Sequence, residues 1–193
     1  MTKVVSLLAF SIAMLLPAFG QGSAAARKID NEFVQQQFGR EFTLLPEFAP
    51  VFGDLDGDGV EDVVIAARCK NPMLDQGEHN YTVIDPYYDF FGYGNPKVTT
   101  TFIEPDPALR GLVVLVIHGA GPDGWRSATP KAKFVIVHLP YRTISVRKMK
   151  LRKKTVEAIY VEQLGDTGET GESAAVFFDG KKFRYVPMGG SME

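Results

Sequence analysis

One acidic stretch decides the fold of this chain: Gly53-Asp54-Leu55-Asp56-Gly57-Asp58-Gly59-Val60-Glu61-Asp62, followed at once by Val63-Val64-Ile65-Ala66-Ala67. Its aspartates occupy positions 1, 3, 5 and 9 of a D-x-D-x-D-G-x-x-D loop, as Asp54, Asp56, Asp58 and Asp62. Carboxylates so close together repel one another, so a fold that gathers them favours a bound cation. Calcium suits them because it takes about six to eight oxygen ligands in a tolerant geometry. We therefore predict a Ca²⁺ loop over residues 54–62, in which the Val60 carbonyl supplies a further oxygen.

The loop is not a complete EF-hand. Ile65 stands at position 12, where an EF-hand has a bidentate glutamate, and a Val/Ile-rich run follows in place of an amphipathic helix. The order of apolar strand, acidic loop and apolar strand resembles the calcium loop of FG-GAP or VCBS-type repeats, known from the propellers of integrin α-chains. Residues 52–64 carry this resemblance, which implies a Ca²⁺ ion bound between neighbouring strands. The alternative is an acidic surface turn that binds no ion.

Residues 1–20 have the pattern of a secretory signal peptide, with cleavage as late as residue 25 also consistent with the sequence. Lys3 provides the positive charge at its start, and residues 4–16 form its apolar run. This run is too short for a spanning helix, which needs about 20 apolar residues. We therefore expect a secreted or periplasmic protein without a transmembrane segment, whose residues 26–193 form a single β-rich domain.

Net charge, cysteine count and histidine spacing bear on three possible features: a nucleic-acid partner, a disulfide and a zinc site. A formal net charge of −2 at pH 7 gives no reason to expect a nucleic-acid partner. Cys69 is the single cysteine, so an intramolecular disulfide is excluded, and its place after an apolar strand predicts a buried, inert thiol. The three histidines, at positions 79, 118 and 138, lack the close spacing of a zinc motif. We expect them to be structural, with satisfied hydrogen bonds.

Most of the remaining chain has the patterns of β-strands. The run 63–67 is apolar on both faces, which is typical of a strand in the middle of a covered sheet. Further strands are predicted at 112–118 and 133–139, at 142–151 and 155–163, which pair across the basic turn at 152–154, and at 174–178 and 183–186. The last two are joined by a turn at Asp179-Gly180, which is the strongest hairpin signal in the chain. An amphipathic helix is predicted over 27–38, with Gly39 as its stop.

These elements predict a mainly β fold. The sequence has one acidic loop and no repeat with a period of about 40–50 residues, which disfavours a complete propeller. We expect a single antiparallel β-sheet, a β-meander like one propeller blade, with an N-terminal helix and a long irregular loop.

The irregular loop covers residues 71–110 and is rich in proline and aromatic residues. Its aromatic run at 87–93 predicts either rings that cap the sheet or a surface that binds a protein or glycan ligand. Four of its carboxylates support an alternative function as a secreted hydrolase: Glu78, Asp85, Asp89 and Glu104. Our leading prediction is a calcium-binding module without catalytic residues, which binds or scaffolds in the cell envelope or extracellular space.

Overall fold

The structure, a computed structural model, describes residues 28–92, 109–164 and 170–188. The predicted signal peptide and Arg27 lie outside this part of the chain, as do Tyr93 and Glu104. Among the described residues, no helix has both the length and the apolar character needed to cross a membrane.

The described residues form short helices and ten strands. The helices are α1 (Asn31–Phe38), α2 (Gln76–His79), α3 (Pro86–Phe91) and a 3₁₀-helix (Gly121–Arg126). The strands are β1 (Phe42–Leu44), β2 (Val51–Gly53), β3 (Asp62–Cys69), β4 (Thr82–Ile84), β5 (Leu112–His118), β6 (Ala132–Ile136), β7 (Thr143–Lys150), β8 (Thr155–Leu164), β9 (Thr170–Phe178) and β10 (Phe183–Pro187).

The first sheet is built around β3. Its order is β1-β3-β5-β6-β4, and β2 pairs with β3 beside β1. The pairs are antiparallel except for β4 and β6, which run parallel. Every residue of β3 except Arg68 is buried, as expected for a strand covered on both faces. The prediction from the two apolar faces of residues 63–67 is confirmed.

The second sheet is an antiparallel meander in the order β10-β9-β8-β7. The β7–β8 hairpin pairs Thr143 with Glu162 and Lys150 with Thr155. The β9–β10 hairpin pairs Phe178 with Phe183 around the Asp179-Gly180 turn. Both hairpins form where the sequence predicts them, because turn residues and strand alternation are local signals.

The two sheets and α1 form three layers, with a hydrophobic core on each side of the first sheet. The helix-side core joins α1 to one face of the first sheet, through Phe33, Val34, Phe38, Val63, Ile65, Leu115, Ile117 and Trp125. The inter-sheet core joins the other face to the second sheet, through Val64, Ala66, Val114, Val116, Ile136, Ile159, Val161, Ala174 and Val176. Successive residues of β3 therefore point into different cores, as strand geometry requires.

The expectation of a mainly β domain with an N-terminal helix is confirmed, and the strands are shared between two sheets where the sequence suggested one. A second sheet is needed because α1 covers only one face of β3 and β5, and the opposite apolar face requires its own cover. The described part of the loop over 71–110 is also more regular than predicted, since it contains α2, β4 and α3.

Local hydrogen bonds fix the ends of α1. The Asp30 side chain accepts from Phe33 N at 2.9 Å, which is the geometry of an N-terminal cap. At the other end, Gly39 has a φ of 108° and its N–H donates to Gln35 O, so the helix stops at the predicted glycine.

Candidate metal centre

The acidic loop connects β2 to β3 at one end of the first sheet. Gly53 and Asp62 pair across this hairpin, and residues 54–61 form its turn. The segment after β5 lies against it, since Trp125 N donates to Glu61 O at 2.9 Å. The site is therefore enclosed by two connections, β2–β3 and β5–β6, which come together because β3 and β5 are neighbours.

Three carboxylates converge in this loop. Asp54, Asp56 and Asp58 each have an oxygen within 4.8 Å of those of the other two, a spacing that one cation can bridge. Backbone N–H groups hold the first of them in place: Asp54 Oδ1 accepts from Gly57 and Asp58, and its Oδ2 accepts from Gly59. The structure thus brings together three of the four predicted aspartates.

The tight path of the loop depends on its glycines. Gly57 and Gly59 have φ angles of 78° and 83°, which are unfavourable for residues with a Cβ. Their N–H groups point inward to Asp54 as a result. The D-G-D-G pattern therefore predicts both the turn and the inward direction of its donors.

Asp62, the fourth predicted ligand, is buried beneath the loop. Its side chain accepts from Leu55 N at 2.9 Å through Oδ2 and from Gly119 N at 2.8 Å through Oδ1. Burial, together with the charges of Asp56 and Asp54, raises the pKa of Asp62 to about 7 against the opposing effect of these two bonds. In this position the carboxylate joins the β2–β3 loop to the end of β5, and its role as a ligand stays a prediction.

Val60 and Glu61 complete the loop. Val60 N donates to Asp58 Oδ1 at 2.9 Å, and the predicted use of its carbonyl as a ligand stays a prediction. The Glu61 carboxylate lies apart from the group of three and accepts from Trp125 Nε1 and from Arg126, each at 2.9 Å. Glu61 therefore serves to attach the loop to the 3₁₀-helix.

A lysine from the β5–β6 connection reaches the acidic group. Lys131 Nζ donates to Asp56 Oδ2 at 2.6 Å and to Asp58 Oδ2 at 2.7 Å. These hydrogen bonds raise the pKa of Lys131 and lower that of Asp58. The side chain of Asp56 is only 3% exposed, while Lys131 is 49% exposed, so the lysine approaches a recessed carboxylate from the solvent side.

His118, at the end of β5, packs against the inner side of the group. Its Nδ1 lies 3.6 Å from Asp56 Oδ2, and its ring is surrounded by Phe134, Phe178 and Phe183. Its Nε2 is buried and has no hydrogen-bond partner in the described part of the chain. Burial lowers the pKa of His118. The expectation of a fully satisfied structural histidine is therefore wrong at this position.

A groove separates the acidic loop from the β7–β8 hairpin. It has a volume of about 520 Å³ and is lined by Asp54, Asp56, Lys148, Lys154, Thr155 and Glu157, among others. Glu157 crosses it, and its Oε2 accepts from Asp54 N at 2.7 Å. The acidic loop is thus attached to the second sheet as well as the first.

Three residues outside the loop contact its aspartates or its backbone, and none of them was predicted from the sequence. His118 is the last residue of β5, Lys131 lies in the β5–β6 connection, and Glu157 lies in β8. No local motif connects them to the loop.

The aromatic run at 87–93 divides into packed and exposed rings. Tyr87 packs edge-to-face on Tyr185 of β10, with ring centroids 5.2 Å apart. Phe90 and Phe91 are 51% and 47% exposed at the end of α3. The described rings therefore show features of both predicted alternatives, capping and exposure.

The carboxylates of the proposed hydrolase have separate surroundings. Asp85 is buried, caps α3 through Tyr88 N and bonds His138 Nδ1. Asp89 pairs with Lys182 at 2.6 Å, and Glu78 is exposed on α2. The hydrolase alternative stays a prediction. Cys69 is buried as expected, and this burial raises the pKa of its thiol to about 12.

Comparisons of the chain with protein-family models, with curated proteins and with solved structures found no match. The resemblance to FG-GAP or VCBS-type repeats therefore rests on the residues of the loop and on their position between two strands.

Proposed function

We propose that the protein is a Ca²⁺-binding β-sheet module, exported from the cytoplasm, that acts by binding or scaffolding in the cell envelope or extracellular space. The observation that supports this proposal is the convergence of the Asp54, Asp56 and Asp58 carboxylates within 4.8 Å. Hard oxygen ligands on a short glycine-containing loop match the preference of Ca²⁺.

The ion would stabilise the acidic loop and its contacts with β5 and β8. It would offset the repulsion among the three carboxylates at the point where the loop meets β5 and β8, through Asp62 and Glu157. Binding to the folded state alone at ten times the dissociation constant adds about 1.4 kcal/mol to the free energy of unfolding.

Thermal melting with and without calcium tests this proposal. We expect Ca²⁺ to raise the Tm by a few degrees, and Mg²⁺ to raise it less because it requires a tighter octahedral shell. Asp58→Asn should reduce the effect of calcium. Glu61→Gln is the matched control, because it removes the same charge from the same loop at a carboxylate bonded to Trp125 and Arg126.

Calorimetry distinguishes binding from a general effect of salt. A wild-type protein that releases no heat with millimolar Ca²⁺, and whose Tm is unchanged, would show that the loop is an acidic turn only. If Asp58→Asn and Glu61→Gln reduced the calcium-dependent rise in Tm equally, the response would be a nonspecific effect of charge.

The binding partner would be a protein or glycan ligand that uses the exposed aromatic rings of α3. Phe90 and Phe91 supply apolar surface of the kind on which sugars and apolar side chains stack. Capture of glycans on an array by the wild type, and its loss in Phe90→Ala, tests this part of the proposal separately from calcium.

A further inference from the structure

The proposed ion and Lys131 require the same oxygen atoms. Asp56 Oδ1 accepts from Asp58 N, and Asp58 Oδ1 accepts from Val60 N, so these oxygens are used in holding the loop. The remaining oxygens, Asp56 Oδ2 and Asp58 Oδ2, are the two that bond Lys131 Nζ. A cation that bridges the two side chains through their outward oxygens must therefore meet the ammonium.

A second observation, independent of the carboxylates, points to a ligand at this place. The His118 ring is 2% exposed and faces Asp56 Oδ2 from the protein side at 3.6 Å, longer than a hydrogen bond. Its Nε2 has no partner among the residues that the structure describes. Nδ1 is the ring nitrogen that faces Asp56, and Asp56 Oδ2 is bonded to Lys131 on its solvent side. Buried polar groups are normally satisfied, so an imidazole that is buried beside Asp56 without a hydrogen bond to it is an unpartnered side chain directed at this group.

We propose that Lys131 is a built-in competitor for the cation, and that its displacement from Asp56 and Asp58 sets the affinity of the site. This inference rests on the proposed function, since it concerns the same three carboxylates. An ammonium donates hydrogen bonds about 2.7–2.9 Å long, and Ca²⁺ binds oxygens at about 2.3–2.6 Å. Two cations at these distances from one pair of oxygens would repel strongly. In the ion-free protein Lys131 offsets part of the negative charge of Asp56 and Asp58. The ion-bound protein releases the lysine to solvent, which it already half faces.

Removing the lysine charge tests the competition directly. Lys131→Gln should bind Ca²⁺ roughly 3- to 30-fold more tightly than the wild type, the range expected for two partly exposed ion pairs. Lys131→Arg keeps the charge and should bind like the wild type. Lys181→Gln is the matched control, because it removes the same charge from the exposed β9–β10 turn. Calorimetry with CaCl₂ in chelator-treated protein gives the affinities.

Reciprocal linkage provides a second measurement. If Ca²⁺ releases Lys131, saturating calcium should increase the rate at which a soluble acylating reagent modifies this amine, by several-fold. The rate at Lys181 should stay the same. Peptide mass spectrometry after short reaction times measures both sites in the wild-type protein.

The outcomes separate this inference from the proposed function. A wild type that binds Ca²⁺, with Lys131→Gln binding equally or more weakly, would overturn the competition and leave the calcium site intact. Binding by Lys131→Gln alone would support the competition and overturn calcium binding by the wild type. Binding by neither protein would overturn both, and tighter binding by Lys181→Gln would show a general effect of net charge.

Discussion

At the scale of single residues, the four aspartates of the loop differ in the direction of their side chains. Asp54, Asp56 and Asp58 lie together on the loop, whereas Asp62 points beneath it to Leu55 N and Gly119 N. The sequence spacing predicted that all four carboxylates would lie together. Spacing gives only the distance along the chain and not the direction of each side chain. Whether a carboxylate faces an ion or a backbone N–H depends on the β5–β6 connection, which lies far away in sequence.

Asp62 should therefore matter for folding without any ion. Asp62→Ala leaves two buried N–H groups without an acceptor, and each such group costs about 1–3 kcal/mol. We expect the free energy of unfolding in chelator to fall by about 2–4 kcal/mol. Asp62→Asn should lose less, since one amide oxygen can still accept. Urea unfolding followed by circular dichroism measures these differences.

The control for Asp62 is a loop aspartate that is more exposed. Asp58→Ala loses the bond to Val60 N and the contact with Lys131, and should cost less than about 1 kcal/mol in chelator because exposed ion pairs contribute little. If Asp62→Ala were no less stable than Asp58→Ala without calcium, Asp62 would have no role in joining the loop to β5.

At the scale of elements, the local features were predicted best. The central strand, both hairpins of the second sheet and the stop of α1 at Gly39 follow from apolar alternation, turn residues and a glycine. The division into two sheets was not predicted. It depends on which strands pair and on how the meander β7–β10 covers the outer face of β3 and β5, and neither has a local signal.

The β9–β10 turn offers a test at this scale. Asp179 Oδ1 accepts from Lys181 N and Lys182 N, and its Oδ2 accepts from Arg184 Nε at 2.6 Å. Asp179→Ala should lower the free energy of unfolding by about 1 kcal/mol at pH 6, because it removes an Asx-type turn at the surface. Asp123→Ala, at an exposed aspartate of the 3₁₀-helix, is the control and should have little effect.

The pH dependence of this difference has a defined sign. The Lys182 N–H and the Arg184 side chain lower the pKa of Asp179 from 3.8 to about 2. A depressed carboxyl pKa contributes stability above the ordinary value that is lost as the pH falls through the folded value. The deficit of Asp179→Ala should therefore shrink between pH 4 and pH 2, in urea titrations at several pH values. A deficit that stayed constant over this range would contradict an ionised Asp179 in the turn.

At the scale of the whole molecule, the acidic loop is attached to both sheets. It begins at the end of β2, enters β3, and is bonded to β8 through Glu157. The two sheets also pack against each other in the inter-sheet core, which contains Ile136 of the first sheet and Ile159 of the second, both fully buried. The sheets share apolar surface that neither can leave exposed to water, and this predicts that they unfold together.

Two substitutions on opposite sides of the inter-sheet core test this cooperativity. Ile136→Ala and Ile159→Ala should each lower the free energy of unfolding by about 2–5 kcal/mol, because each leaves a cavity in a buried cluster. Trp125 is the only tryptophan and packs against Phe33 in the helix-side core, with ring centroids 5.7 Å apart. Its fluorescence therefore reports on the first sheet, on the face away from Ile159.

The decisive comparison is between two probes in the Ile159→Ala protein. If the sheets form one cooperative unit, the urea midpoints from Trp125 fluorescence and from far-ultraviolet circular dichroism should decrease together and stay coincident. Leu74→Ala, at a side chain that is 63% exposed, should leave both midpoints in place. A fluorescence midpoint that stayed at the wild-type value while the dichroism midpoint fell would mean that the second sheet unfolds alone. The proposed ion would then stabilise only the first sheet, since the bond from Glu157 would break before β3 and the acidic loop unfold.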